Sequence, residues 1–187
     1  MTMRNIVLRF GLASGVILLA DSAVLLPLCM KGIVNFEHNE VIGYTAMVLA
    51  FLMVFFGIRT YRETVAGGAI SFGKAFQVGI LICLVTCAMY VISWEITYFN
   101  FFPDFLDKYT ASVLAKMHAR GASAADIQKT ASQLAEMGKH YHNVFYNSAI
   151  TFMEVFPVGL IVTLVSAAIL RRRKPPQDAP ASSAVPA

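Results

Sequence analysis

The sequence predicts an all-α membrane protein with four transmembrane helices and an extracytoplasmic helical hairpin between the third and the fourth. Of the 187 residues, 57% are hydrophobic and only 14% are charged, whereas about 25% of the residues in a soluble domain are charged. Four apolar runs each approach the roughly 20 residues that a helix needs to cross a bilayer. Because backbone polar groups in lipid must pair within their own segment, these runs are expected to be helices. A soluble enzyme and a disordered chain fit this composition poorly.

The first predicted span also resembles a signal peptide, because arginines precede it. It continues past Asp21 to Leu28, which is longer than the roughly 7–15 residues of a signal-peptide core. We therefore expect an uncleaved helix, with cleavage after about Ala23 as the alternative. The third span ends in aromatic residues around Trp94, and such rings favour the membrane–water boundary. The four predicted spans cover residues 6–30, 41–58, 75–99 and 144–170.

The segment between the third and fourth spans, residues 103–143, is polar but keeps a helical pattern. Gly121 stands where a helix would end, and Ser123 followed by Asp126 is typical of a helix start. We therefore expect an outer hairpin of two amphipathic helices. Their apolar residues recur at helical spacing in two sets: Phe105, Leu106, Tyr109, Val113 and Met117, then Ile127, Ala131, Leu134 and Met137.

The distribution of Lys and Arg predicts that both termini are cytoplasmic, because cytoplasmic flanks collect these residues. With both ends inside, the inner side holds nine basic residues and the outer side six, and the inner nine include the block Arg171, Arg172, Arg173 and Lys174. We expect one membrane domain over residues 1–174 and a disordered cytoplasmic tail over residues 175–187. The net charge of +4 does not indicate nucleic-acid binding, because no basic groove interleaved with aromatic residues lies outside the spans.

Several short motifs occur in order along residues 4–173. They are Glu40-x-x-Gly43-Tyr44, Phe55-Phe56-Gly57-Ile58-Arg59-x-Tyr61-Arg62, Gly67-Gly68-x-Ile70-Ser71-Phe72-Gly73-Lys74-Ala75-Phe76, Gly79, Tyr90-x-x-x-Trp94-Glu95 and Phe152-x-Glu154-x-x-Pro157-x-Gly159-Leu160. Together they resemble a bacterial membrane family known as domain of unknown function 4199. The resemblance implies four membrane helices with a polar insert before the last, in the inner membrane of a bacterium. It implies no activity, since the family has no established one.

Three carboxylates fall within the predicted spans: Asp21, Glu95 and Glu154. Charged groups are costly in hydrocarbon and usually mark a functional site or a partner. At about 1.5 Å per residue, Asp21 lies roughly 18 Å beyond Arg9, and Glu154 roughly 25 Å from Arg171. All three then fall in the outer half of the membrane and form a candidate cation or proton site, with Asp21 and Glu154 deepest. The alternative is that each carboxyl is neutral or hydrogen-bonded and only fixes helix packing.

Other patterns in the sequence are weaker. Glu136 and His140 are four residues apart, but no third ligand completes a metal-binding signature, so we expect a surface ion pair or a solvated face. Gly11-x-x-x-Gly15 permits close helix approach, either within the chain or in a homodimer or protein-partner contact. Ser71 is the predicted N-cap of the third helix.

These observations predict a small, non-enzymatic, multi-pass protein of the lipid bilayer that acts as a structural or partner-binding component. The alternative is a cation- or proton-linked transport or channel component that uses Glu154 and Asp21. We expect no enzyme and no cofactor, because the sequence shows neither a nucleophile–base pair nor a metal-ligand set.

Overall fold

The computed structural model describes residues 1–31 and 36–172, and its regular secondary structure over these residues is helical. Four helices are long and apolar enough, by length and composition, to cross a membrane. This confirms the predicted number of long apolar helices and supports a multi-pass membrane protein. The predicted tail, residues 175–187, lies outside the described residues. In order, the helices are α1 (Met3–Met30), α2 (Phe36–Thr64), α3 (Phe72–Phe101), α4 (Phe105–Ala119), α5 (Ala124–Tyr141) and α6 (Val144–Leu170).

The second and third helices extend beyond the apolar runs, because polar residues at their ends support further turns. On α2, which continues past the predicted end at residue 58, Arg59 and Glu63 form an i,i+4 ion pair of 3.0 Å. The N-cap of α3 is Ser71, whose Oγ accepts a hydrogen bond from the Lys74 backbone N–H at 3.3 Å. The predicted N-cap is therefore confirmed.

The four long helices form a bundle with α1 and α6 on one diagonal. In this arrangement α3 packs against α1 and α6, α2 packs against the same two helices, and α2 and α3 touch across the other diagonal. At one end, two backbone hydrogen bonds of 2.9 Å join Ile70, between α2 and α3, to Arg172, just beyond α6. We call this the terminal end, because the chain begins there. The other end, where α4 and α5 lie, is the α4–α5 end.

The bundle core contains a layer in which three helices approach closely. Phe51 of α2 and Cys83 of α3 are fully buried, and both lie against Gly159 of α6. A Cβ atom at Gly159 would stand 2.7 Å from the Phe51 ring and would also collide with the Cys83 Sγ atom. Small residues are enriched where membrane helices pack, because they let backbones approach. We call Phe51, Cys83 and Gly159 the packed layer.

The predicted small-residue stripe of α1 faces α3 of the same chain. A Cβ atom at Gly11 would stand 2.7 Å from the Val85 Cβ atom, and at Gly15 it would meet the Met89 side chain. The Thr86 hydroxyl donates a hydrogen bond to the Gly11 carbonyl at 3.3 Å. The stripe therefore packs within the chain, which is one of its two predicted roles.

The outside of the long helices is covered by large apolar side chains. Several of these are more than half exposed, and a soluble monomer rarely exposes apolar side chains over so large a contiguous surface. Such a surface is stable where lipid chains replace water. Examples are Val16, Val24, Leu49, Ile92, Ile161 and Ile169.

Both short helices carry the predicted end signals. Gly121 follows α4 with a positive φ of 70°, a conformation that glycine adopts without steric cost. The Ser123 Oγ atom accepts a hydrogen bond from the Asp126 backbone N–H at 3.1 Å, as an N-cap does. The predicted apolar residues of α4 and α5 are half-buried, and most of the other residues of these helices are exposed. The two helices contact each other, and α5 also contacts α6.

We expect Gly159→Val to destabilise the bundle, because the added side chain must displace the Phe51 ring and the Cys83 thiol. Overpacking of this kind typically costs about 1–3 kcal/mol. The matched control is Gly73→Val on α3, where an added Cβ atom meets nothing within 4 Å. Thermal unfolding in detergent should show a lower Tm for Gly159→Val and no loss for Gly73→Val. Equal Tm values for the two variants would contradict the packed layer.

Candidate functional site

A cavity of about 550 Å³ lies at the α4–α5 end of the bundle. All six helices contribute to its wall. The diagonally opposed helices α1 and α6 leave a space between them, and α4 and α5 cover that space. Its volume falls within the roughly 300–1,000 Å³ that is typical of small-molecule sites. The lining residues are Asp21, Ser22, Leu25, Leu26, Gly43, Tyr44, Met47, Trp94, Phe105, Leu106, Tyr109, Met137, Tyr141, Ile150 and Glu154.

Two of the three carboxylates singled out in the sequence line this cavity. Asp21 belongs to α1 and Glu154 to α6, so the two carboxylates approach the cavity from diagonally opposite helices. Glu154 is exposed at the wall, and Asp21 is half-buried. The structure thus places the two residues that were expected to lie deepest around one space.

Glu95, the third carboxylate, is not among the lining residues. Its Oε1 atom accepts a hydrogen bond from the Ser148 hydroxyl of α6 at 2.8 Å. Its Oε2 atom is buried and makes no hydrogen bond with any described residue. Glu95 therefore links α3 to α6 beside the cavity through one of its two carboxylate oxygens.

Asn147 of α6 is a fully buried polar residue that joins three helices next to the cavity. Its Oδ1 atom accepts hydrogen bonds from Trp94 Nε1 at 3.0 Å and from the Thr151 hydroxyl at 3.3 Å. Its Nδ2 atom donates to the Tyr141 carbonyl at 3.2 Å. Because buried polar groups are costly unless they are paired, this amide fixes the orientation of the Trp94 ring. Sequence reasoning missed Asn147, although an amide inside an apolar span is itself a signal of interhelical bonding.

Aromatic rings form a large part of the cavity wall. The rings of Trp94 and Phe105 meet edge to face with centroids 5.0 Å apart, and Phe105 stacks with Tyr109 at 6.1 Å. Tyr44 of α2 and Tyr141 of α5 add two more rings. Burial raises the pKa of Tyr141 to about 12, so its hydroxyl stays protonated at neutral pH. The sequence predicted that Trp94 lies at a membrane boundary, but it did not predict an aromatic site. The other four rings come from other helices, and their approach to Trp94 depends on tertiary packing.

The cavity is closed toward the terminal end of the bundle. Gly159 follows Glu154 by five residues on α6, a distance of roughly 7–8 Å along the helix axis. At that level the packed layer fills the space between the helices with fully buried side chains. The described residues therefore form a pocket that ends near Glu154.

Glu136 and His140 lie on the exposed face of α5 and do not line the cavity. Lys139 Nζ stands 2.6 Å and His140 Nε2 3.7 Å from the Glu136 carboxylate. The Lys139 ammonium beside it lowers the pKa of Glu136. Glu136 therefore forms a surface ion pair with Lys139, and the predicted pairing with His140 is an ion pair only when that ring is protonated.

A family model described as "Protein of unknown function (DUF4199)" matches residues 9–172 of the chain. The match extends from the first turns of α1 to the end of α6, so it includes every residue that lines the cavity. No curated protein matches the chain, and no solved structure matches it.

We expect Asn147→Leu to destabilise the protein and to release the Trp94 ring. The substitution leaves the indole N–H and the Thr151 hydroxyl without their acceptor, and each unsatisfied buried group costs about 1–3 kcal/mol. The fluorescence of Trp94, the single tryptophan, should therefore change together with a lower Tm.

The control for this prediction is Asn100→Leu on α3. Asn100 is exposed, and its Nδ2 atom donates to the Ile96 carbonyl of the same helix at 2.8 Å. This variant should keep the wild-type emission spectrum. An unchanged spectrum and Tm for Asn147→Leu would show that Asn147 does not hold the indole.

Proposed function

We propose that this chain, which belongs to the protein family of unknown function DUF4199, is a non-enzymatic membrane protein that binds a cation in the cavity between Asp21 and Glu154. We place it in the inner membrane of a bacterium, with both termini cytoplasmic and with α4 and α5 outside as a helical hairpin. The excess of Lys and Arg on the flanks at the terminal end supports this orientation. The cavity would then be reached from the outer side.

The observation that carries the proposal is the charge of the cavity lining. Two carboxylates lie in the wall, and no Lys, Arg or His occurs among the described residues that form it. Two negative charges that share one cavity repel each other, and a cation between them offsets that repulsion. The site is therefore electrostatically suited to a positively charged ligand.

The packed layer favours a binding role over that of an open channel. A conducting path along the bundle axis would have to pass Phe51, Cys83 and Gly159, which leave no room for even an added methyl group. Transport would require this layer to open. Binding on one side of the membrane requires no such rearrangement.

The proposal is tested by titrating the purified full-length chain, in micelles of an uncharged detergent, with a panel of cations. The panel contains the chlorides of lithium, sodium, potassium, magnesium, calcium and tetramethylammonium. The two readouts are the emission of Trp94, which lines the cavity, and the Tm. At least one cation should give a saturable change and raise the Tm, because a ligand of the folded state stabilises it.

Three variants identify the carboxylates that bind. Asp21→Asn and Glu154→Gln should each weaken binding at least about fivefold, since the loss of one charge contact in a partly buried site is worth about 1–4 kcal/mol. Glu95→Gln, the matched control at the same end, should bind within about twofold of the wild type, because Glu95 bonds to Ser148. The proposal fails if no cation acts on the wild type, or if Glu154→Gln and Asp21→Asn fold and bind unchanged.

A further inference from the structure

The composition of the cavity wall points to the chemical class of the ligand. We propose that the cavity binds an organic ammonium ion, a quaternary or protonated amine with apolar substituents, rather than a metal ion. This inference rests on the proposed function, because it assigns a ligand class to the same site. It is drawn from the size of the cavity, its apolar wall and its aromatic rings.

Size is the first argument. A protein binds Ca²⁺ through 6–8 oxygen atoms at 2.3–2.6 Å, and Mg²⁺ through six at 2.0–2.1 Å, so a metal site is compact. The cavity here measures about 550 Å³, and its two carboxylates come from diagonally opposite helices. A ligand with carbon substituents can fill that volume and still bring a positive charge to Asp21 and Glu154.

The apolar part of the wall is the second argument. Hydrocarbon side chains cannot replace the water that a metal ion loses on binding, but they gain about 25 cal/mol for each Å² of alkyl surface that they bury. Five of the six helices contribute aliphatic or methionine side chains to the wall. These side chains are Leu25, Leu26, Met47, Leu106, Met137 and Ile150.

The aromatic rings are the third argument. An ammonium ion within about 6 Å of a ring centroid is attracted by the negative face of the ring, most strongly by tryptophan and when water is excluded. Tyr44, Trp94 and Tyr109 bring rings to the cavity from α2, α3 and α4. The Trp94 ring is already oriented, because its N–H is bonded to Asn147. Preorganised rings lower the entropy cost of binding.

The experiment compares three probes in the same micelles: choline, its neutral analogue 3,3-dimethyl-1-butanol, and sodium ion at equal ionic strength. Choline and the alcohol share one shape and differ in the charge at a single atom. Choline should change the Trp94 emission saturably, with an apparent Kd at least about tenfold lower than that of the other two probes. Asp21→Asn and Glu154→Gln should remove most of this difference between choline and the alcohol.

Tyr44 separates the contribution of an aromatic ring from that of its hydroxyl. Tyr44→Leu should weaken choline binding about threefold to thirtyfold, the range of a cation–π contact. Tyr44→Phe keeps the ring and should bind within about twofold of the wild type. Tyr44 is about half exposed (51%), so both variants are expected to fold, and the Tm confirms it. Equal choline affinity in Tyr44→Leu and Tyr44→Phe would argue against a ring contact and overturn the ligand class.

The outcomes distinguish the two proposals. If sodium binds in a carboxylate-dependent way and choline does not, the organic-ammonium inference fails and the cation site stands. If the neutral alcohol binds as tightly as choline, or if neither of them binds, the organic-ammonium inference fails. The cation site fails as well only if no cation of the full panel acts on the wild type. In nanodiscs, weaker choline binding with phosphatidylethanolamine than with an uncharged diglycosyl diacylglycerol, which has no ammonium group, would identify a lipid headgroup as the source of the ammonium. Equal binding would identify a soluble amine.

Discussion

The contact of α6 with α3 and α2 is the interaction on which the rest of the structure depends. Buried residues recur every four positions along α6, at Asn147, Thr151, Val155, Gly159 and Thr163. Gly159 lets α6 approach the Cys83 thiol and the Phe51 ring, and an added Cβ atom there would collide with both. Because close-packed helices cannot rotate without losing these contacts, the stripe fixes the face that α6 turns to its neighbours. That orientation directs Glu154 to the cavity and Asn147 to the Trp94 indole.

The same packing explains why the cavity lined by Asp21 and Glu154 lies at the α4–α5 end of the bundle. At the level of the packed layer, α2 and α3 meet across the short diagonal and fill the centre of the bundle. At the α4–α5 end the space between α1 and α6 is bounded instead by rings and by two carboxylates. Carboxylates resist burial against apolar side chains, because loss of their hydration is costly without a partner. A cation would supply that partner, so the carboxylates that resist close packing at this end are the same groups to which we assign ligand binding.

Much of the fold could be predicted from local sequence patterns. The lengths of the hydrophobic runs predicted four long helices. Single residues such as Ser71, Gly121 and Ser123 predicted helix ends to within about one residue of their positions in the structure. Counting residues along each helix also placed Asp21 and Glu154 near one level of the bundle, and both line the same cavity. These features depend on neighbours only a few positions apart, so one sequence suffices to find them.

The composition of the site could not be predicted in the same way. The position of a carboxylate along its helix does not show which other side chains it faces. Asp21 and Glu154 share a cavity and Glu95 bonds to Ser148 because of the rotation of each helix and the arrangement of the helices in the bundle. The rings of Phe105 and Tyr109 reach the cavity only through the docking of α4, which follows from tertiary packing. Asn147 was available as a signal, since an amide within an apolar span needs a partner.

The central claim, that Asp21 and Glu154 face one water-accessible space, is tested most directly by cysteine accessibility in proteoliposomes. Cysteines replace Asp21, Glu154 and, as a control, Met153, which is 62% exposed and does not line the cavity, in a background without Cys29, Cys83 and Cys87. A cationic methanethiosulfonate reagent, which lipid excludes, should modify the first two cysteines and spare the third. Modification of the cysteine at position 153 alone, or of none, would contradict the account.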